Sequence, residues 1–472
     1  MAEERQVLVR FTTELPAELQ VPDAPVAIPA SLKRYGLSQI INHMLSLSPP
    51  RPFDFVVAGQ LLRQPLEALL MDLNLSAEAV LEVEYIMAVV PPELKHSSPH
   101  NDWVAGVSSS SPAAAVTASY DGCLRSWDLT GEGPRCTHSW TAHPSGVNTV
   151  ASAALQLPGR KQAVQLVASG GKDHAVCLWQ VDHASDPSPT HHLLASCRGH
   201  TDSVECVALS PDTQHLASCG WDGALLVWRA GQAVVDAAAE AAAAAKAGGG
   251  RGAVGAAAAA PAPVAKRRKG GQGGGGGTAA EGVAPEGGLQ EEVQARLQGH
   301  IHCVAGVAWA TQGLLFSGGW DHSVRRWDLA TTINTDTYSG SKAVCCVACP
   351  PPALQGANAA PGSLVAFGCS DKAVRLWDSR TRSGEALAVK GLVGHAGWVT
   401  SLAWCPSSPF HLASGSHDHT VKLWDLRSTV PLCTLASHSD KVLAVGWAGP
   451  QAVLSGGADC QLHLHSCTVA PT

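Results

Sequence analysis

The sequence predicts a mainly β protein in two parts, a small amino-terminal domain followed by a large ring of repeated β-sheets. Two observations predict this organisation. From residue 100 onward, an aspartate is followed six residues later by a tryptophan at nearly regular intervals, and self-similarity at such a period is the signature of a repeat architecture. Residues 5–90 lack the repeat and have strand-like and helical hydrophobic periods of their own. The 472 residues therefore form one small domain and one array.

Composition and charge exclude several classes of protein. Acidic residues number 39 and basic residues 32, so no strong global field favours binding to nucleic acid or to an anionic membrane. No run of about 20 uncharged apolar residues predicts a membrane span. The 15 cysteines are scattered and no signal peptide opens the chain, so we expect reduced thiols in the cytosol or nucleus. We therefore expect neither direct nucleic-acid binding nor a membrane partner.

Residues 5–90 contain, in order, a strand-like hairpin, a helical stretch, a strand, a short helix and a closing strand. This is the element order of a ubiquitin-like β-grasp fold. The domain is acidic, since residues 1–95 carry 12 acidic and 7 basic side chains. Residues 91–100 follow as a linker, although we expect that this segment or one nearby supplies a strand to the array, because an open ring would leave an exposed sheet edge.

Seven copies of the repeat can be aligned over residues 101–472. A small hydroxyl residue stands four positions before the aspartate in six copies, and a histidine lies 21 to 30 residues before it in six. Successive copies are 41 to 52 residues apart except for one interval of 99, which must contain an insertion. The pairs are Asp121 and Trp127, Asp173 and Trp179, Asp222 and Trp228, Asp321 and Trp327, Asp371 and Trp377, Asp418 and Trp424, and a degenerate Asp459 and His465.

This pattern resembles the WD-repeat family, which implies a seven-bladed WD-repeat β-propeller. In that family the aspartate lies in a tight turn, the histidine enters from a loop, and the hydroxyl residue and tryptophan lie on strands. Their hydrogen bonds satisfy polar groups that would otherwise be buried without partners. The fifth copy has Phe367 at the hydroxyl position, so we expect its polar network to be absent and its blade to be the softest.

The insertion spans residues 230–296 and is rich in alanine and glycine. This composition predicts a disordered loop, placed between blades 3 and 4. A compact basic run inside it is typical of a nuclear import signal. The alternative is that these basic residues only keep the loop soluble. The run consists of Lys266, Arg267, Arg268 and Lys269.

Trp221 and Trp320 stand immediately before two of the turn aspartates, where side chains often lie on one face of a propeller. A pair of exposed indoles on blades 3 and 4 would suit a partner-binding anchor, and packing against a neighbouring loop is the alternative.

The sequence predicts neither a metal site nor a catalytic site. Cys346 and Cys349 lack a second pair at zinc-site spacing, so no metal cluster held by this chain and no catalytic motif are predicted, and we interpret the protein as a non-enzyme.

Three segments of the amino-terminal sequence show a more specific resemblance. IPASLKRYGLSQIINHML, FDFVVAGQLLRQPL and LSAEAVLEVEYI resemble the NLE domain, which precedes WD repeats in ribosome-biogenesis factors. With the seven repeats and the PPEL and NDWV junction, nearly the whole chain is similar to the WD-repeat subunits of PeBoW (Nop–Erb–Ytm) complexes, the family of WD-repeat-containing protein twelve and Ytm.

This resemblance implies a non-catalytic scaffold for pre-rRNA processing and maturation of the large (60S) ribosomal subunit, in the nucleolus and nucleoplasm. The implied partners are a block-of-proliferation (Erb-type) WD-repeat protein, pescadillo through it, the pre-60S particle and the midasin AAA ATPase. In this family the NLE domain docks on the metal-ion-dependent adhesion site (MIDAS) of midasin, and one acidic side chain completes the coordination of that partner's Mg²⁺.

The residue that matches the family's acidic ligand is Glu78. It could instead be a solvated turn residue, and Glu82, Glu84 and Asp72 are acidic neighbours. The chain itself would hold no cofactor, because the Mg²⁺ belongs to the partner.

Two other functions stay open. Repeats that end in WDSR and WDLR, with Arg380 and Arg427, resemble the WDxR box of substrate receptors for cullin-RING ubiquitin ligases. A Notchless-type NLE protein would have eight repeats instead of the seven counted.

Overall fold

The computed structural model describes residues 5–73, 80–131, 133–157, 163–183, 190–248, 288–351, 362–380 and 389–468. Glu78 and the basic run at 266–269 lie outside these ranges. Within them, no helix has the length and apolar character needed to cross a membrane.

The amino-terminal domain is a five-stranded sheet packed on one long helix. The strands lie in the order β2-β1-β5-β3-β4, and the first and last long strands pair in parallel, so the predicted β-grasp order is confirmed. The helix buries Leu37 and Ile41 against Phe53, Phe55 and Tyr85 of the sheet. The elements are β1 Gln6–Thr12, a 3₁₀ turn Ala17–Leu19, β2 Val26–Pro29, α1 Arg34–Met44, β3 Phe53–Val57, β4 Gln60–Leu61, α2 Leu66–Asp72 and β5 Leu81–Met87.

Seven further sheets form the propeller, and their first strands contact one another in a closed circle from blade 1 to blade 7 and back. Blades 1 and 2 contain β7 Val104–Ser111, β8 Ala114–Ser119, β9 Cys123–Asp128, β10 Arg135–Thr141, β11 Val147–Leu155, β12 Val164–Gly171, β13 Ala175–Asp182 and β14 Thr190–Arg198. Blade 3 contains β15 Val204–Leu209, β16 His215–Gly220, β17 Leu225–Arg229 and β19 Ala295–Leu297, with α3 Gly231–Gly248 and β18 Leu289–Glu291 lying between its last two strands.

The remaining blades follow the same four-stranded plan. Blades 4 and 5 contain β20 Val304–Trp309, β21 Leu314–Gly319, β22 Ser323–Asp328, β23 Ile333–Ser339, β24 Val344–Ala348, β25 Leu364–Cys369, β26 Ala373–Asp378 and β27 Val389–Val393. Blades 6 and 7 contain β28 Val399–Trp404, β29 His411–Ser416, β30 Val421–Asp425, β31 Cys433–Leu435, β32 Val442–Trp447, β33 Ala452–Gly457 and β34 Gln461–Thr468, completed by β6 Val90–Pro99.

The segment predicted as a linker, residues 91–100, is not one. It lies almost wholly in β6, which pairs antiparallel with β34 from Thr468 opposite Val90 to Gln461 opposite Pro99. The ring is therefore closed by a strand that precedes blade 1 in the chain, as expected from the need to cover an open sheet edge. The outer edge of β34 gains backbone partners that it would otherwise lack.

The prediction that residues 230–296 form a disordered insertion between blades 3 and 4 is wrong about the place of the insertion and about its two ends, while residues 249–287 lie outside the described residues. Because β19 pairs with β17 as the fourth strand of blade 3, the insertion lies inside that blade. Its beginning is the helix α3, which contacts the edge of blade 2 and buries Val234 there. Alanine is the strongest helix former, and Val234, Val235 and Ala238 give this helix an apolar face. Its end is β18, which adds to β14 in parallel.

Four blades carry the complete polar network implied by the repeat. In blade 6, for example, Trp424 Nε1 donates to Ser414 Oγ over 2.8 Å, and His395 lies 2.7 Å from that oxygen and 2.8 Å from Asp418. The side chains of the hydroxyl residue, histidine and tryptophan are buried. Blades 2, 3 and 4 repeat these contacts with His143, Ser169, Trp179, Asp173, His200, Ser218, Trp228, Asp222, His300, Ser317, Trp327 and Asp321.

Three blades depart from this network. In blade 5, Phe367 is fully buried against Tyr338 and Trp377, and Arg375 instead of a histidine pairs with Asp371 at 2.6 Å. The hydroxyl-centred network is therefore replaced there by apolar packing. In blade 1 the turn aspartate Asp121 pairs with Arg125, while His100 and Trp127 still share Thr117. Blade 7 keeps His438, Ser455 and Asp459 but has His465 at the tryptophan position.

Candidate functional site

The face that carries the turn aspartates, called the top face here, exposes a chain of aromatic side chains. Trp221 and Trp320 meet edge to face with ring centroids 5.0 Å apart, and Trp221 is 46% exposed. The indole N–H of Trp221 donates to Glu205 over 2.8 Å, which fixes the ring while leaving its surface open to solvent. The two residues singled out from the sequence therefore form one contact between blades 3 and 4.

Further aromatic residues extend this contact. Trp320 also meets Trp398 at 6.5 Å, and Trp398 stacks on His417 at 5.8 Å. On the blade 1 side Trp103 stacks on Tyr120 at 5.7 Å, and Lys172 lies over Tyr120 at 3.5 Å from the ring centre. We call this set the aromatic rim. Its members are Trp103, Tyr120, Trp221, Trp320, Trp398 and His417.

The sequence reasoning missed Trp103 and Trp398 as rim residues. Each lies three positions after a repeat histidine, His100 and His395, at the start of a blade's first strand. That spacing is a signal from which both could have been found. The two indoles are 40% and 45% exposed, and large exposed aromatic rings of this kind mark interaction surfaces.

An acidic group lies beneath the rim. Glu205 accepts hydrogen bonds from Trp221, Asn148 and Ser203. Burial raises the pKa of Glu205, and the Trp221 and Ser203 donors and the nearby Lys172 partly offset that increase. The exposed Asp202 lies three residues before it in sequence. The rim therefore offers apolar ring surface with negative charge close by, which suits a partner with apolar and basic side chains.

The amino-terminal domain contacts blade 6 of the propeller. The backbone N–H of Leu61 donates to the carbonyl of Arg427 over 3.1 Å. Beside this bond a cavity of about 150 Å³ is lined by Ile86 and Met87 from the domain and by Phe410 and Leu432 from the blade, among others. The contact fixes which end of β5 faces the propeller.

Three ion pairs, formed by two carboxylates, lie at this contact. In the domain, the buried Asp54 lies 2.5 Å from Arg34 and 3.5 Å from Arg63. In blade 6, Asp425 pairs with Arg427 at 2.7 Å. Burial raises the pKa of Asp54, and the two guanidinium groups of its own domain oppose the increase. Each part therefore neutralises its own buried carboxylate, and the contact between the parts leaves neither charge unpaired.

The side chain of Arg427, the critical residue of the WDLR motif, makes its contacts within the molecule. Its guanidinium group makes paired hydrogen bonds to Asp425, lies 4.6 Å from the centre of the Phe410 ring and is 11% exposed. The equivalent Arg380 pairs with Asp378 at 2.5 Å and is 51% exposed. Arg427 is therefore not presented as an open docking residue.

The acidic residues considered as the Mg²⁺ ligand lie in different parts of the amino-terminal domain. Glu78 lies outside the described residues, between α2 and β5. Asp72 accepts a hydrogen bond from Gln64 over 2.6 Å, and Glu84 lines the cavity against blade 6, whereas Glu82 is exposed on β5. The cavity lining includes Glu84, Ile86 and Met87 but neither Leu81 nor Glu82, so the start of β5 lies outside the lining of the cavity at blade 6.

Comparison with known proteins identifies both parts of the chain. Residues 7–70 match the NLE (NUC135) domain, and residues 134–180, 188–229, 291–328 and 387–425 match the WD domain, G-beta repeat. The chain is 48% identical over 485 residues to a ribosome biogenesis protein WDR12 homolog from Chlamydomonas reinhardtii, with 98% of each chain covered.

More distant relatives match over the same extent. The WDR12 homolog of Arabidopsis thaliana is 32% identical, over 98% of this chain and 97% of the relative. The ribosome biogenesis protein YTM1 of Eremothecium gossypii is also 32% identical, with the same coverage. With its NLE domain, its propeller and full-length similarity to these proteins, the chain belongs to the WDR12/YTM1 family of ribosome biogenesis proteins.

Proposed function

We propose that this protein is a non-catalytic scaffold of the PeBoW complex that acts in pre-rRNA processing and maturation of the large (60S) ribosomal subunit. Membership of a family of ribosome biogenesis proteins supports a role in ribosome maturation. The observation that carries the finer proposal is the separation of two surfaces on one chain. The aromatic rim lies on the top face, and the amino-terminal domain faces blade 6 with Glu84, Ile86 and Met87 of β5, a set that does not include Leu81.

The rim is the surface that binds the block-of-proliferation (Erb-type) WD-repeat protein, which in turn connects to pescadillo. Trp221 and Trp320 support this assignment because they are paired and already ordered before binding. The hydrogen bond from Trp221 to Glu205 holds one ring, so little side-chain entropy remains to be lost. Aromatic anchors of this kind dominate the binding energy of protein interfaces.

The amino-terminal domain binds midasin. Glu78 offers one carboxylate oxygen to the Mg²⁺ in the partner's MIDAS, and the ATP-driven remodelling of midasin then releases the complex from the pre-60S particle. Mg²⁺ is octahedral and is commonly bound through one or two carboxylates with water in its other positions. The orientation of the domain supports this role, because the residues that flank the ligand segment, Asp72 and Leu81, are on described elements away from the cavity at blade 6.

The protein acts in the nucleolus and nucleoplasm. The basic run of Lys266, Arg267, Arg268 and Lys269 serves as its import signal. Binding to the pre-60S particle occurs through protein partners, since the chain carries seven more acidic than basic residues and has no global positive field for RNA. The WDLR box does not favour the cullin-RING receptor function, because the Arg427 side chain is held by Asp425, whereas Arg380 of the WDSR box is 51% exposed.

Affinity purification with quantitative mass spectrometry tests this function. The bait is the full-length protein, either unchanged, as Glu78→Ala, or as the matched control Glu82→Ala, whose carboxylate is exposed on the adjacent strand. We expect Glu78→Ala to retain the propeller-bound partners, to lose midasin and to accumulate with pre-60S proteins. Normal recovery of midasin with Glu78→Ala, or equal loss with Glu82→Ala, would contradict the assignment.

A further inference from the structure

Blade 7 differs from most other blades at the residue that lies four positions after the turn aspartate. In blades 1 and 5 a guanidinium group at this position pairs with the aspartate at 2.5 and 2.6 Å. In blade 7 the position holds a histidine, whose Nε2 faces Asp459 at 4.0 Å. A cation beside the carboxylate is thus replaced by an imidazole ring. In blade order the residues at this position are Arg125, Cys177, Leu226, Arg325, Arg375, Lys422 and His463.

One nitrogen of His463 has no partner. Nδ1 lies 2.7 Å from Ser97 Oγ, and the side chain is 6% exposed, but within the described part of the chain Nε2 makes no hydrogen bond. In the tautomer that donates Nδ1–H to Ser97, a buried lone pair on Nε2 therefore faces a carboxylate.

The repeat hydroxyl beside the second histidine of this cluster lacks a donor that its counterparts have. In blades 2, 3, 4 and 6 a tryptophan N–H donates to one of the two lone pairs of the repeat hydroxyl. In blade 7 His465 replaces the tryptophan and bonds to Ser437 instead. Ser455 can therefore accept Nε2–H from His438 over 2.8 Å, which leaves the Nδ1 lone pair of His438 directed at Asp459.

We propose that His438, Asp459 and His463 form a binding site for a divalent ion of the zinc class. The three ligand atoms lie within 4.8 Å of one another, and those of His438 and Asp459 are 2.9 Å apart. Bonds of about 2.1 Å in a tetrahedral site place ligand atoms about 3.4 Å apart, so small side-chain rotations complete the geometry. Two imidazoles, one carboxylate and a water make a common zinc coordination set.

Surrounding residues support the ligands. Ser97 and Ser455 hold the far nitrogens of the two imidazoles, as second-sphere groups do in zinc sites. The ion supplies the positive charge that a guanidinium group supplies beside the turn aspartate in blades 1 and 5. Because Ser97 belongs to β6 and His463 to β34, metal binding stabilises the strand pair that closes the ring. This departs from the sequence-based expectation of no metal cluster, which arose because His438 and Asp459 already had roles in the repeat.

Metal titration of the full-length chain tests the site. The protein, without an affinity tag, is stripped with chelator and then titrated with Co²⁺ and with Zn²⁺. We expect about one ion bound per chain, visible d–d absorption of tetrahedral Co²⁺, and no thiolate-to-metal band, because no cysteine is a ligand. At an excess of about 100 times the dissociation constant, Zn²⁺ should raise the thermal midpoint by about 4 °C.

Two variants make the test specific. His463→Arg introduces the residue that blades 1, 4 and 5 use at this position, and His463→Gln keeps a neutral side chain. Both should fold, as judged by circular dichroism, and lose the Co²⁺ absorption and the Zn²⁺ shift. The control His192→Arg changes an exposed histidine of blade 2 and should keep both signals. No ion uptake by the unchanged chain, a thiolate band, or unaltered uptake by both His463 variants would overturn the proposal.

Discussion

The aromatic rim and the amino-terminal domain differ in how their binding groups are held and in what they can bind. The rim is built from side chains at the starts and turns of several blades, and the hydrogen bonds of those blades fix its rings. The domain presents its predicted ligand from a single segment between α2 and β5. A rim of this kind gains affinity from buried apolar area, whereas a single carboxylate gains it from one metal bond. The comparison predicts that binding at the two surfaces responds differently to substitutions and to removal of Mg²⁺.

Removal of β6 should produce the largest effect, a loss of stability of the propeller that carries the rim. A chain that begins at residue 90 keeps β6, and a chain that begins at residue 100 lacks it but retains His100. Because the seven β6–β34 register pairs are lost, we expect the propeller to be destabilised by roughly 3–7 kcal/mol. Chemical denaturation of the two chains measures the difference. Equal midpoints would mean that the ring does not depend on β6.

Loss of the Glu78 carboxylate should abolish binding of the domain to the MIDAS segment of midasin. Glu78→Ala and Glu78→Gln should each weaken binding by about 100-fold or more, as expected when one partner of a buried charge pair is removed. Titration by isothermal calorimetry with Mg²⁺ and with EDTA measures this loss. In the control, Glu82→Ala should bind as tightly as the unchanged protein, and EDTA should not alter binding at the rim. Binding that persists in EDTA would argue against a metal bond.

Truncation of the indole pair should weaken partner binding at the rim while leaving midasin binding unchanged. Trp221→Ala combined with Trp320→Ala should cost about 2–4 kcal/mol of binding free energy. Surface plasmon resonance against the Erb-type partner measures it. Ile333→Ala is the control, because Ile333 is 60% exposed on the outer strand of blade 4. If that control weakens binding as much as the indole variant, the interface lies on the side of blade 4.

Acid should weaken the propeller before it weakens the domain. Burial lowers the pKa of His100 to about 4 and also lowers the pKa of His395. Unfolded histidine titrates near 6.5, so this stability is fully present above about pH 6.5 and is lost as the pH falls towards 4. The expected loss at pH 5 is about 1–2 kcal/mol from His100.

Hydrogen exchange of the full-length chain, corrected for intrinsic rates, measures this effect at pH 7 and pH 5. Protection should fall in blades 1 and 6 and should hold in blade 5, where the Asp371–Arg375 pair replaces the histidine. Equal loss of protection in blade 5 would show that the histidines are not the cause.

Much of the propeller could be predicted because in six of the seven blades the turn aspartate, such as Asp418, lies six residues before a buried tryptophan. The closing strand β6 was less clear because prolines at 91 and 92 look like a linker. Residues of helix α3 were predicted as part of a disordered loop because their alanines resemble low-complexity sequence, although Val234 and Val235 give the helix an apolar face. The position of the insertion inside blade 3 could not be read from the sequence, since β19 has only three residues.

The site was predicted in part. The pairing of Trp221 with Trp320 was expected from their place before the turn aspartates, but the extension through Trp398 depends on packing across blades that no local pattern reveals. The contact of the domain with blade 6 involves a backbone bond from Leu61 to Arg427. Backbone contacts between distant segments leave no trace in residue type, so the covering of Arg427 could not be foreseen.

Sedimentation of pre-60S particles from cells that express either variant tests the two-surface scheme most directly. If the rim recruits the protein and Glu78 serves its release, the Trp221→Ala and Trp320→Ala double variant should be depleted from the pre-60S fraction, and Glu78→Ala should accumulate there. Identical distributions of the two variants, or depletion of Glu78→Ala, would contradict the division of labour between the propeller and the amino-terminal domain.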